Sequence, residues 1–257
     1  MALRLANVRL VGDLYERSCD RGFGLPLDAK RRQRLACVRK AGTLFIHIPK
    51  NAGMSISEAL YGRQIKHASI RYYQKAAPRL LRRVASFAIV RDPIERFASS
   101  LRYAQAGGTR HNRVSEPFRA LYQSFVTAED ALDHLEAVTS IYDIDHIFRP
   151  QSWYITDRNG HVIVDKLFPF HDLDGIAEFL GLRCLARVRH LNASRASDPS
   201  FTAAQVERIQ RFYASDLGLF DKVAKARRAA GLLPKGAILA PDQFDHARLW
   251  TASPVQT

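Results

Sequence analysis

One stretch constrains this chain more than any other: residues 43 to 55, Thr-Leu-Phe-Ile-His-Ile-Pro-Lys-Asn-Ala-Gly-Met-Ser. Leu44, Phe45, Ile46 and Ile48 have the β-branched and aromatic content of a parallel strand buried on both faces. Pro49 stops the strand. A short loop follows, in which Gly53 can take positive φ or let an anion oxygen approach the backbone. A helix is expected from about Met54 through Ser57, Glu58, Ala59 and Leu60. Its first turn carries unpaired N–H groups and partial positive charge, so strand, loop and helix together form an anion site. Lys50 adds a full charge and Ser55 a hydroxyl donor. The nucleoside triphosphate loop needs G-x-x-x-x-G-K-[ST], with the lysine behind the glycines and a hydroxyl for Mg²⁺ next to it. Here Lys50 comes first and Gly53 is the only glycine of the loop, which argues against an ATP or GTP hydrolase. Taken alone, the segment also fits an ordinary strand-to-helix turn with a solvated lysine.

A second segment repeats the layout. Ser86 to Val90 reads as another buried strand, and it runs into Arg91-Asp92-Pro93-Ile94-Glu95-Arg96-Phe97-Ala98-Ser99-Ser100. Pro93 suits a helix start, and Ile94, Phe97, Ala98 and Leu101 follow the spacing of a helix packed on a sheet. Arg91 falls at the carboxyl end of a strand, where open α/β sheets bind ligands. Without the first segment, Arg91 and Ser99 would read as a surface ion pair and a helix-face hydroxyl.

Together the two segments resemble the sulfotransferases that use 3′-phosphoadenosine 5′-phosphosulfate (PAPS), in the family whose first loop is of the His-Ile-Pro-Lys-Thr-Gly-Gly-Thr-Ser type. Its second segment is Arg-x-Pro-x-x-Arg-x-x-Ser, matched here by Arg91, Pro93, Arg96 and Ser99. Similar segments follow in order at Arg149 to Ser152, Val162 to Leu173, His190 to Ser194 and Tyr213 to Phe220, so the resemblance covers roughly residues 43 to 222. Asn51, Ala52 and Met54 stand where the family has Thr, Gly and Thr.

The resemblance implies a P-loop-like central parallel sheet flanked by helices, the sulfotransferase fold, with PAPS as sulfate donor and no metal. It implies that the backbone of Asn51, Ala52, Gly53, Met54 and Ser55 cradles the 5′-phosphate and that Lys50 touches the phosphate and the bridging oxygen. Arg91 and Ser99 would hold the 3′-phosphate, a role suited to the two-pronged guanidinium. Sulfuryl transfer rests mainly on positioning and charge stabilisation, yet the attacking hydroxyl still needs a base. His67, in Lys66-His67-Ala68-Ser69, matches a His-containing segment of the family and takes that role, with Glu58 as the other candidate. His47 reads as a hydrogen-bonded support for the loop. The stretch from Gly107 to Arg113, with His111, reads as an acceptor-binding loop or a linker. Gln151 and Asn192 fall in segments near the family's cleft, where loop hydrogen bonding is an equal reading.

A length of 257 residues and 47% hydrophobic content suit one α/β domain. A basic lead-in over 1–41, a sulfotransferase domain over 42–231 and a loosely held tail over 232–257 are expected. The formal charge of +14 attracts anions, the donor nucleotide first, then an acidic glycan but also nucleic acid or a membrane surface, and it equally fits a solvated basic face. No zinc-finger spacing or aromatic-glycine RNA signature accompanies it, so no nucleic-acid partner is expected. Cys19, Cys37 and Cys184 make neither a disulfide framework nor a zinc site, and the amino terminus lacks the apolar core of a signal or anchor, so a cytoplasmic enzyme without a membrane span is expected. The reading is thus sulfuryl transfer from PAPS to a hydroxyl, with a glycan or small molecule as acceptor. A catalytically impaired nucleotide-binding homologue and a small-molecule kinase stand as alternatives. Locally, Trp153 to Ile155 and Val162 to Val164 suggest a β-hairpin about Asn159-Gly160. Thr127/Asp130 and Thr202/Gln205 look like helix starts, and Leu173 to Leu180 like a helix ended by Gly181.

Overall fold

The computed structural model describes residues 6–109, 112–181 and 200–229. His111, the His190 to Ser194 segment with Asn192, Cys184 and the 232–257 tail lie outside the described residues. Two helices, α1 (Asp13–Asp20) and α2 (Ala29–Ala41), precede strand β1 (Thr43–Ile46). Helices α3 (Gly53–Tyr61), α4 (Ile70–Ala76) and α5 (Pro78–Leu81) lead to β2 (Ala85–Val90). Next come α6 (Pro93–Gln105), α7 (Glu116–Gln123), α8 (Ala128–Ala137), a 3₁₀ turn at Ile141–Asp143 and α9 (Gln151–Ile155). Strand β3 (Lys166–Pro169), α10 (Leu173–Phe179), α11 (Ala203–Phe212) and α12 (Ala214–Ala229) complete the described chain.

The fold is α/β: the described residues form an open, three-stranded parallel sheet of order β1-β2-β3 with helices around it. Side chains alternate across it as a doubly buried strand requires. Leu44, Ile46, Ala88 and Val90 face one core, with Val38, Ile70 and Tyr154, while Phe45, Phe87, Ile89 and Phe168 face another, with Ile56 and Ile176. A third core of Phe97, Leu101, Phe118, Leu132, Phe148 and Ile209 lies among α6, α7, α8 and α11. Register sets Ile46 opposite Ala88 and Val90 opposite Pro169, so the carboxyl ends of all three strands open on one edge.

Residues of the basic lead-in are built into this body. Asp13 of α1 receives two hydrogen bonds from Arg149, 2.8 Å and 2.6 Å, with both side chains fully buried. Glu16 accepts from the backbone N–H and hydroxyl of Ser69, at 2.9 Å and 2.6 Å, at the start of α4.

Capping boxes form at Thr127/Asp130 and Thr202/Gln205, and Gly181 turns left-handed (φ +61°) just beyond α10. The expected hairpin does not form. Trp153 to Ile155 belong to α9, and only a single antiparallel bridge, Thr156 to Val162, spans the Asn159-Gly160 turn. The physical reason is distant: the buried carboxylate of Asp216, on α12, accepts from the backbone N–H groups of Gln151 (2.6 Å) and Ser152 (2.8 Å). Satisfying those two donors starts a helix where local propensity favours a strand.

Candidate anion-binding site

At the end of β1 the chain turns through Lys50 (φ +69°) and Ala52 (φ +57°), both left-handed although neither is glycine. Each costs roughly 1–2 kcal/mol relative to an ordinary conformation. Left-handed residues on both sides of Asn51 are the kind of backbone from which anion-binding concavities are built. Helix α3 then begins at Gly53, and Ile56 N–H donates its first helical bond to Ala52 O. Gly53 itself stays out of the left-handed region, contrary to one of the two expectations for it. Its service is steric: a Cβ there would lie 1.7 Å from His47 Cδ2. His47 is buried with its ring against Gly53, but its Nδ1 donates to Ile65 O, beyond α3, at 3.0 Å and not to the loop.

Lys50 is half-buried, with Nζ 4.4 Å from the centroid of the Tyr103 ring. Burial, followed by the repulsion of Arg91, Arg102 and Arg96, brings its ammonium down to about 8. A cation held against other cations in a poorly solvated place is relieved by an anion. Ser99, Arg102 and Tyr103 stand at i, i+3 and i+4 on α6, one face of that helix. Ser99 is half-buried there, and Ser55 is buried in the first turn of α3.

Arg91 leaves the end of β2 with its guanidinium over the ring of Phe170, 4.6 Å from the centroid, and Nε donating to Glu95 at 3.2 Å. Its backbone is gripped by Gln151, whose Oε1 accepts from Arg91 N–H at 2.9 Å and whose Nε2 donates to Arg91 O at 2.8 Å. The second arginine of the motif has a different duty. Arg96 is buried and donates to Pro49 O (3.1 Å), Ile147 O (3.2 Å) and Arg149 O (2.8 Å), so it ties α6 to the first loop.

Asn51 turns its side chain inward. Its Nδ2 donates to Ile89 O and to Gln151 Oε1, each at 2.7 Å, and both partners are acceptors, which fixes the amide orientation. Met54 is exposed, and its sulfur receives a hydrogen bond from Asn112 Nδ2 at 3.1 Å. Tyr103 O–H donates to Asn112 O at 2.8 Å, so the segment after α6 is fastened beside the loop. An open depression of about 390 Å³ adjoins it, lined by Gly107, Gly108, Thr109, Arg113, Arg119 and Gln123 among others.

His67 is half-buried and lies 4.1 Å from His47 and 5.8 Å from His146, centroid to centroid. Its Nδ1 donates to His47 O at 2.9 Å; a carbonyl only accepts, so the neutral ring carries its lone pair on Nε2. Burial pushes the imidazolium down to about 4, reinforced by Arg96, Arg149 and Lys66 and opposed by the bond to His47 O. Glu58 is exposed on α3.

The fold thus gathers Lys50, Asn51, Ala52, Gly53, Met54 and Ser55 with Arg91 at the strand ends, places Ser99 on the adjoining helix and seats His67 against the first loop. Arg102 and Tyr103 are missed by sequence reasoning, although their helical spacing from Ser99 is a signal that could find them. Among the described residues no group of three or more His, Cys, Asp or Glu is placed to hold a metal ion, and no helix is long and apolar enough to cross a membrane. Compared with known proteins, the chain matches no family model, no curated protein and no solved structure.

Proposed function

We propose that this protein is a sulfotransferase of the PAPS-dependent family, moving the sulfuryl group to a hydroxyl, with a sugar hydroxyl as acceptor, and releasing adenosine 3′,5′-bisphosphate. The observation that carries the reading is the pairing of a left-handed lysine-first loop with an arginine at the end of the neighbouring strand. Two anion sites on adjacent strands suit a nucleotide with phosphate at both ends of its ribose. In this reading the backbone of Asn51 to Ser55 and the Ser55 hydroxyl hold the 5′-phosphosulfate, and Lys50 neutralises charge on the bridging oxygen as the S–O bond breaks. Arg91 and Ser99 hold the 3′-phosphate, with Arg91 exchanging its contact to Glu95 for the ligand. His67 Nε2 accepts the proton of the attacking hydroxyl.

The low basicity of His67 favours a second reading, a homologue that binds the nucleotide and transfers sulfate poorly. Transfer of labelled sulfate from PAPS into a panel of glycans and small alcohols separates the two. Turnover that is lost in His67→Ala with nucleotide binding retained supports the enzyme and its base. Nucleotide binding without transfer to any acceptor supports the binder, and full turnover in His67→Ala removes this base.

A further inference from the structure

Gln151 lies between the two anion sites and touches both. It is fully buried, and among the described residues its three side-chain hydrogen bonds go to the two segments. Oε1 accepts from Asn51 Nδ2 and from Arg91 N–H; Nε2 donates to Arg91 O. Reversing the amide would set donor against donor at two contacts and acceptor against acceptor at the third, so the orientation is determined by its neighbours. Gln151 is itself anchored at its backbone, where N–H donates to the buried carboxylate of Asp216, which also accepts from Ser152 N–H. Asn51 completes the chain by donating to Ile89 O in β2. The loop after β1 and the turn after β2 are therefore fixed to one side chain that comes from neither of them.

Resting on the proposed function, we infer that Gln151 is a positioning residue that sets the spacing between the 5′- and 3′-phosphate sites. Each site binds its own phosphate through other groups. What Gln151 governs is whether one ligand engages both at once, the intramolecular advantage that makes a two-point ligand bind more tightly than either one-point ligand. Asn51, standing where the resembling family has threonine, supplies the connection from the first loop.

Calorimetry of the full chain with three ligands tests this: adenosine 3′,5′-bisphosphate, adenosine 5′-monophosphate and adenosine 3′-monophosphate. Wild-type protein preferring the bisphosphate over both monophosphates by about a hundredfold is the starting expectation. In Gln151→Met, of similar length but unable to make the three bonds, that preference shrinks by about tenfold or more while each monophosphate binds within about threefold of wild type. Asn51→Thr cuts the same link from the other side and narrows the preference in the same direction, which keeps the test open if Gln151→Met does not fold. Equal weakening of all three ligands, or an unchanged preference in a folded variant, overturns the role of Gln151. A wild-type protein without preference for the bisphosphate overturns the parent reading instead.

Discussion

In the proposed reading Lys50 is the residue on which anion binding turns. Its ammonium, brought down to about 8, is charged below that pH and neutral above it. Anion affinity is therefore expected to be fully present at pH 7 and to fall as pH rises through 8, by up to about tenfold per unit while bound anion holds the proton on. In Lys50→Arg the decline disappears, because guanidinium does not titrate there; titrating the bisphosphate into both proteins from pH 7 to 9.5 shows it. Gly53 makes a sharper structural prediction. Gly53→Ala sets a methyl group 1.7 Å from the His47 ring and should destabilise the protein by about 1–3 kcal/mol, seen as a lowered thermal midpoint, with His47 displaced from Ile65 O. The need for a glycine at position 53 was legible in the sequence; its cause was not, because His47 approaches from the strand only once the loop has folded. Gln151 was visible only as a member of a segment near the cleft, since its partners lie 100 and 60 residues away.

At the scale of elements, strands β1 and β2 and the starts of α6, α8 and α11 follow from local chemistry: apolar runs, Pro93 behind Asp92, and two capping boxes. Helix α9 does not. Gln-Ser-Trp-Tyr-Ile has strand-like aromatic content, and the carboxylate that starts the helix arrives from Asp216 in another helix. Removing that cap should melt α9 and loosen the turn at Arg91 with it, so Asp216→Ala is expected to lower stability by about 2 kcal/mol or more and weaken the bisphosphate. Helix α1 is bound into the body by the Asp13–Arg149 pair. Asp13→Ala leaves a buried guanidinium without its carboxylate and should cost about 3–5 kcal/mol, measurable by urea unfolding. Sequence composition presented that helix as part of a basic lead-in, because an acid paired 136 residues away has no local signature.

For the whole molecule, the excess of 39 basic over 25 acidic residues attracts anions, and the proposed function puts them at the carboxyl edge of the parallel sheet. Its carboxyl edge collects Lys50, Arg91 and the face of α6, while the rings of His47, His67 and His146 neighbour one another pairwise, 4.1 Å and 5.8 Å between centroids. Burial lowers all three imidazoles, His67 to about 4. Between about pH 4 and 6.5 the unfolded chain thus binds more protons at His67 than the folded one, so the stability contribution is complete above 6.5 and is lost as pH falls toward 4. His67→Gln should flatten that acid slope, by up to about 1.4 kcal/mol per pH unit, in urea titrations across the range.

Nucleotide binding by calorimetry decides most directly whether the two strand-end sites act together on a doubly phosphorylated ligand. Adenosine 3′,5′-bisphosphate should bind without Mg²⁺ and more tightly than ATP, and Arg91→Ala should abolish its advantage over adenosine 5′-monophosphate. A preference for ATP with Mg²⁺, or bisphosphate binding indifferent to Arg91, would contradict the sulfotransferase reading.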